Sequence, residues 1–105
     1  MRLSQKEILD IRNVVSRFSS DYELYLHGSR ISDELKGGDI DLFIMLPDDI
    51  YNNVIRKKHY LESLISLELR EQKIDITVIS KSGAQSHDFF KNSKKIKIGP
   101  TFFSL

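Results

Sequence analysis

Asp39 and Asp41 stand two positions apart in the segment Asp39-Ile40-Asp41-Leu42-Phe43-Ile44. In an extended strand that spacing turns both carboxylates to one side, ~7 Å apart along the chain. Like charges on one face repel, so the pair is expected to bind a cation unless it faces bulk water. Nine residues separate Asp39 from Gly28-Ser29, which ends a short apolar run, Leu24-Tyr25-Leu26. Gly28 leaves bare backbone beside Ser29, where N–H groups can cradle an anion such as a phosphate. Asp75 is a third carboxylate, set between Ile74 and Ile76. If its strand lies beside that of Asp39 and Asp41, the three converge. Two would hold Mg²⁺, and the third would bind a second metal or accept the proton of an attacking hydroxyl. Strands are depleted in Asp, which weighs against three solvent-exposed carboxylates arising by chance. Gly28-Ser29 alone reads as an ordinary turn, and the signal lies in the combination. A divalent-cation site beside an anion cradle equips a protein for phosphoryl or nucleotidyl transfer.

Strands that alternate their faces must position these groups, and helices must cover the opposite face. The spacing predicts a first strand over 23–27. A second begins at Asp39, with Asp39, Asp41 and Phe43 on one face and Ile40, Leu42 and Ile44 on the other. A third, over 73–79, sets Ile74, Ile76 and Val78 against Asp75, Thr77 and Ile79. Ser4-Gln5-Lys6-Glu7 is a capping-box pattern, and Ile8, Ile11, Val14, Val15 and Phe18 follow at helical spacing, which predicts a helix over 5–18. Residues 29–36 can form a short helix whose N-terminus points its partial positive charge at the phosphate position, with Gly37-Gly38 ending it. Beyond Pro47, Asp48 or Asp49 is expected to cap a long helix over 50–69. Asp88-Phe89-Phe90 suits a short helix, and Ile96 and Ile98 alternate with lysines as an edge strand would.

The 105 residues are expected to form one domain, 1–105, of the α/β (α+β) class. Sixteen basic and 15 acidic residues leave a net charge of +1, which gives no reason to invoke nucleic acid or a membrane surface. The absence of cysteine excludes disulfides and thiolate metal sites. Met1 to Asp10 carries charges and no long apolar core, unlike a signal peptide. No stretch approaches the ~20 apolar residues of a membrane span, so the expected location is the cytoplasm.

The run His27-Gly28-Ser29-Arg30, followed by Gly38-Asp39-Ile40-Asp41-Leu42, resembles the signature of the minimal nucleotidyltransferases, within the DNA polymerase beta-like nucleotidyltransferase superfamily. The resemblance spans residues 22–80. It implies a small mixed β-sheet packed by helices. It implies that Gly28 and Ser29 contact the β- and γ-phosphates of a nucleoside triphosphate, ATP or another NTP. It implies that Asp39 and Asp41 bind the metals, in a two-Mg²⁺ site that Asp75 completes. Arg30 and Lys36 lie in the connecting segment, where they would steady the triphosphate or simply be solvated. The separation of nine residues between Ser29 and Asp39 is slightly shorter than in related sequences, a change that loops tolerate.

The resemblance also implies a context. Many such enzymes are antitoxins whose partner is a HEPN-domain ribonuclease, and some add AMP to a tyrosine of that partner. Two other readings stand beside this one: a catalytically weak partner-binding subunit of the same fold, and an antibiotic-modifying or tRNA-type transferase. The last usually needs an extra acceptor-binding domain, for which 105 residues leave no room. His27 reads as a strand-end residue packing under the site, with a ligand role as the alternative, and His59 and His87 as surface residues. Lys81, Lys91, Lys94, Lys95 and Lys97, with Phe102, Phe103 and Leu105, read as a solvated lysine edge with aromatics folded onto the core. The alternatives are a strip contacting nucleic acid, or an apolar tail docking on a second protein or another copy of the chain.

Overall fold

Ser4 starts helix α1 (Gln5–Ser16) through a reciprocal cap: its hydroxyl accepts from the Glu7 amide at 3.0 Å, and the Glu7 carboxylate accepts from the Ser4 amide at 2.8 Å. The computed structural model describes residues 3–28, 39–70 and 73–100. Ile11, Val14 and Val15 form the buried stripe of α1. The helix stops two residues short of the expected Phe18. Beyond it the buried Ser19 hydroxyl bonds the Asp21 backbone and shapes the turn into β1.

Strands β1 (Glu23–His27) and β2 (Ile40–Leu46) pair antiparallel, and β3 (Ile74–Ser80) runs parallel to β2. Parallel neighbours need a crossover, supplied by α2 (Asp48–Arg56) and α3 (Lys58–Leu69). The helix expected over 50–69 is therefore two helices. It breaks at Lys57, whose backbone leaves the helical region (φ −106°, ψ 18°). The expected cap is corrected as well. Pro47 occupies the N-cap of α2 and no side chain caps it. Asp48 instead accepts from the Ser82 amide at 3.0 Å, tying the start of α2 to the loop after β3. After a 3₁₀ turn at Ala84–Ser86, α4 (Asp88–Asn92) leads into β4 (Lys95–Gly99), antiparallel to β1 at the sheet edge. Among the described residues the sheet is four-stranded and mixed, in the order β3-β2-β1-β4.

Alternation along the strands produces two unequal cores. Leu24, Leu26, Ile40, Leu42, Ile44, Ile74, Ile76 and Val78 face α1 and the α2–α3 crossover, meeting Ile11, Val15, Leu61 and Ile65. On the other face a smaller cluster joins Phe43, Met45, Ile79, Ala84 and Phe90. Strand β2, covered on both sides, is buried at every position except Asp41. That exception marks where the second face opens.

Candidate active site

Asp41 and Asp75 are register partners across the parallel β2–β3 pair. Adjacent strands lie ~4.8 Å apart and partnered side chains share a face. Their sequence neighbours Ile40, Leu42, Ile74 and Ile76 are buried in the larger core, so both carboxylates occupy the opposite face. Asp75 is exposed and Asp41 only half so. Asp39, two positions before Asp41, precedes β2, and its Oδ2 lies 3.4 Å from Lys73 Nζ. The Ile40 amide donates to the Lys73 carbonyl, which sets the register at this end of the pair.

The Asp41 carboxyl is pushed above its ordinary range, first by burial and then by the negative charges of Asp75 and Asp39, with Lys73 opposing. Three acidic groups are thus electrostatically coupled across two strands. Among the described residues, no three His, Cys, Asp or Glu groups are already gathered closely enough to hold a metal ion. The donor set itself fits a hard divalent cation: it is all oxygen, it carries excess negative charge, and a cation would relieve the repulsion on Asp41.

Gly28 joins the turn after β1 to these carboxylates. Its φ of +79° favours glycine, and an added Cβ would collide with Asp41 Oδ2 and lie 3.1 Å from Asp41 Cγ. The turn backbone therefore passes directly against the Asp41 side chain. Ser29, Arg30 and Lys36, expected to continue the phosphate cradle, lie outside the described residues, as does the short helix expected over 29–36. The aromatic tail residues Phe102, Phe103 and Leu105 lie outside them too.

His27 pairs with Asp41 on β1, and Lys95 pairs with His27 on β4, so Asp75, Asp41, His27 and Lys95 form one row across four strands. The His27 ring is buried and stacks on Phe43 with centroids 4.0 Å apart and planes at 21°. Burial lowers its pKa, against an upward pull from Asp75, which favours the neutral imidazole. This is the packing role expected of a strand-end histidine. His59 is exposed and meets Glu62 at 3.1 Å, while the His87 ring accepts from the Phe90 amide at the start of α4.

Two contributors escaped sequence reasoning. Lys73 reads there as an ordinary strand-end lysine, and only the parallel register sets it against Asp39. Phe89 reads as a short-helix residue, yet its ring packs edge-on against His27 and Phe43 beside the acidic row. Of the lysine edge, Lys81 pairs with Asp21 at 3.0 Å and Lys97 with Glu23 at 3.6 Å, and Lys95 lies over the Phe90 ring. No helix among the described residues is long and apolar enough to cross a membrane.

A family model described as a nucleotidyltransferase domain matches residues 8–98, from within α1 to within β4. No curated protein matches the chain.

Proposed function

The chain belongs to the nucleotidyltransferase-domain family, with the polymerase beta-like fold, and from that footing we propose a metal-dependent transfer of a nucleoside monophosphate, AMP from ATP, to an acceptor hydroxyl. The observation that carries this reading is the pairing of Asp41 with Asp75 across β2–β3 while Gly28 lies against the Asp41 carboxylate. Asp39 and Asp41 would hold Mg²⁺, and Asp75 would bind a second ion or take the proton of the acceptor hydroxyl. Magnesium, when bound, neutralises phosphate charge and stabilises the transferring phosphoryl centre.

The residues of the chain divide the remaining tasks. The turn at Gly28-Ser29, with Arg30, would grip the β- and γ-phosphates through backbone N–H groups and a guanidinium. In the reaction the acceptor oxygen bonds to the α-phosphorus, the bond from that phosphorus to the β-phosphate bridging oxygen breaks, and pyrophosphate leaves. Lys73, held beside Asp39, would limit how far the acidic row repels an incoming anion. His27, next to Asp41 in the row and stacked on Phe43, would support Asp41 while burial disfavours its charge.

Incubation with α-labelled ATP, Mg²⁺ and candidate acceptors tests the mechanism. Label should move to the acceptor in wild type and not in the Asp39→Asn, Asp41→Asn double variant; transfer that survives both substitutions refutes it. For the acceptor we extend the proposal to a tyrosine hydroxyl on a HEPN-type protein, a reading supported by the sequence resemblance alone. Mass spectrometry of the captured partner for an AMP adduct tests that extension separately. Co-purification of a partner that persists in the double variant, with no adduct, would favour a stoichiometric binding subunit instead.

A further inference from the structure

Phe89 and Phe90 are consecutive residues of α4 with opposite fates. Phe90 is buried in the smaller core, edge-on to Tyr25 at 5.2 Å and to Phe43 at 5.1 Å. Phe89 keeps 53% of its surface exposed. It is nonetheless held in place, with its ring 5.4 Å from His27 at 88° and 5.1 Å from Phe43 at 68°. The five-residue helix that carries it is pinned by three contacts from two residues. The His87 ring accepts from the Phe90 amide at 3.2 Å, Lys95 Nζ donates to the Phe90 carbonyl at 2.6 Å, and the same ammonium lies 4.3 Å from the centre of the Phe90 ring.

This fixed ring stands beside the acidic row. Phe89 touches His27, His27 is the register partner of Asp41, and neighbouring strands are ~4.8 Å apart. A group seated on Asp41 and Asp75 therefore has an exposed aromatic ring on the far side of its strand neighbour His27. We propose that Phe89 is the stacking platform for the base of the bound nucleotide. The inference rests on the nucleotidyltransferase reading and assigns to Phe89 the part of the substrate that the carboxylates and the Gly28 turn leave unheld. A ring whose position is set before binding loses little freedom on stacking. Stacking uses the π-face common to all bases, so Phe89 contributes affinity without choosing among them.

Binding of MgATP and of magnesium tripolyphosphate, which has no base, is measured by calorimetry on wild type, Phe89→Leu and Phe89→Trp. Leucine keeps the apolar cover over His27 and Phe43 but has no ring to stack. The expected result is an ATP affinity lowered roughly 5- to 150-fold in F89L, the range that base–aromatic stacking spans. F89W should bind ATP at least as well as wild type, and tripolyphosphate affinity should be the same in all three. Unchanged ATP binding in F89L, or an equal loss for ATP and tripolyphosphate, overturns the platform and leaves the nucleotidyltransferase reading standing. Wild-type protein that binds neither probe overturns both.

Discussion

Substituting Gly28 by alanine tests the contact between the turn and the carboxylates. Two penalties are expected. A side chain at φ +79° costs about 1–2 kcal/mol. The new Cβ also runs into Asp41 Oδ2, with Asp41 Cγ and Cβ only 3.1 and 3.3 Å away, and overpacking of that kind costs about 1–3 kcal/mol. Together they come to about 2–5 kcal/mol, a large fraction of the stability typical of a small domain. Asp41 can avoid part of the clash only by shifting its side chain, which would disturb the proposed cation site. The assay is urea unfolding of wild type, Gly28→Ala, Asp41→Ala and the double variant. In the Asp41→Ala background the collision with the carboxylate is gone, so Gly28→Ala should cost only the backbone term. The coupling energy should therefore be about 1–3 kcal/mol. A zero coupling, with Gly28→Ala equally costly in both backgrounds, would refute the contact between turn and carboxylate.

Other expectations are simpler to read. Ser4→Ala removes one half of the α1 capping box and should cost about 1 kcal/mol, seen as a melting temperature lower by about 4–8 °C. Arg70, at the end of α3, sits in the left-handed region with φ 57°, so Arg70→Gly should stabilise by about 1 kcal/mol in denaturant unfolding. Hydrogen bonds from the Ser82 side chain and backbone hold the Asp48 carboxyl below its usual range. A carboxyl whose folded pKa is depressed contributes stability above its unfolded pKa, near 3.9, and loses it as pH falls through the folded value. Asp48→Asn should accordingly destabilise at pH 6, and the difference from wild type should shrink as pH falls below the unfolded value, compared by urea midpoints.

The strands were legible because period-two alternation is a local signal. Asp39, Asp41 and Asp75 sit opposite apolar neighbours that had to face a core, which fixed their side of the sheet before any pairing was known. Pairing is not local. That β3 lies parallel to β2 with Asp75 opposite Asp41, and that Lys73 reaches Asp39, depends on a crossover whose packing the sequence does not print. The break at Lys57 left only a weak trace, an apolar pattern that is imperfect before residue 60. Neither glycine nor proline marks it, and the apolar pattern of 50–69 suits one helix or two. Asp48 looked like a cap because its position before a helix permits one; the amide of Ser82, 34 residues away, holds it instead. Nothing local separates Phe89 from Phe90. Tyr25 and Phe43, arriving from other strands, decide which ring is buried.

Asp39, Asp41 and Asp75 are proposed to serve one divalent cation site beside Gly28. Titrating the ¹⁵N-labelled protein with Mn²⁺ and recording paramagnetic broadening of its amides tests this directly. Amides of Gly28, Asp39, Asp41 and Asp75 should broaden together at the lowest Mn²⁺ additions, and Asp41→Asn should abolish the effect at all of them. Broadening scattered over the other surface carboxylates, or confined to one strand and unaffected by Asp41→Asn, would contradict it.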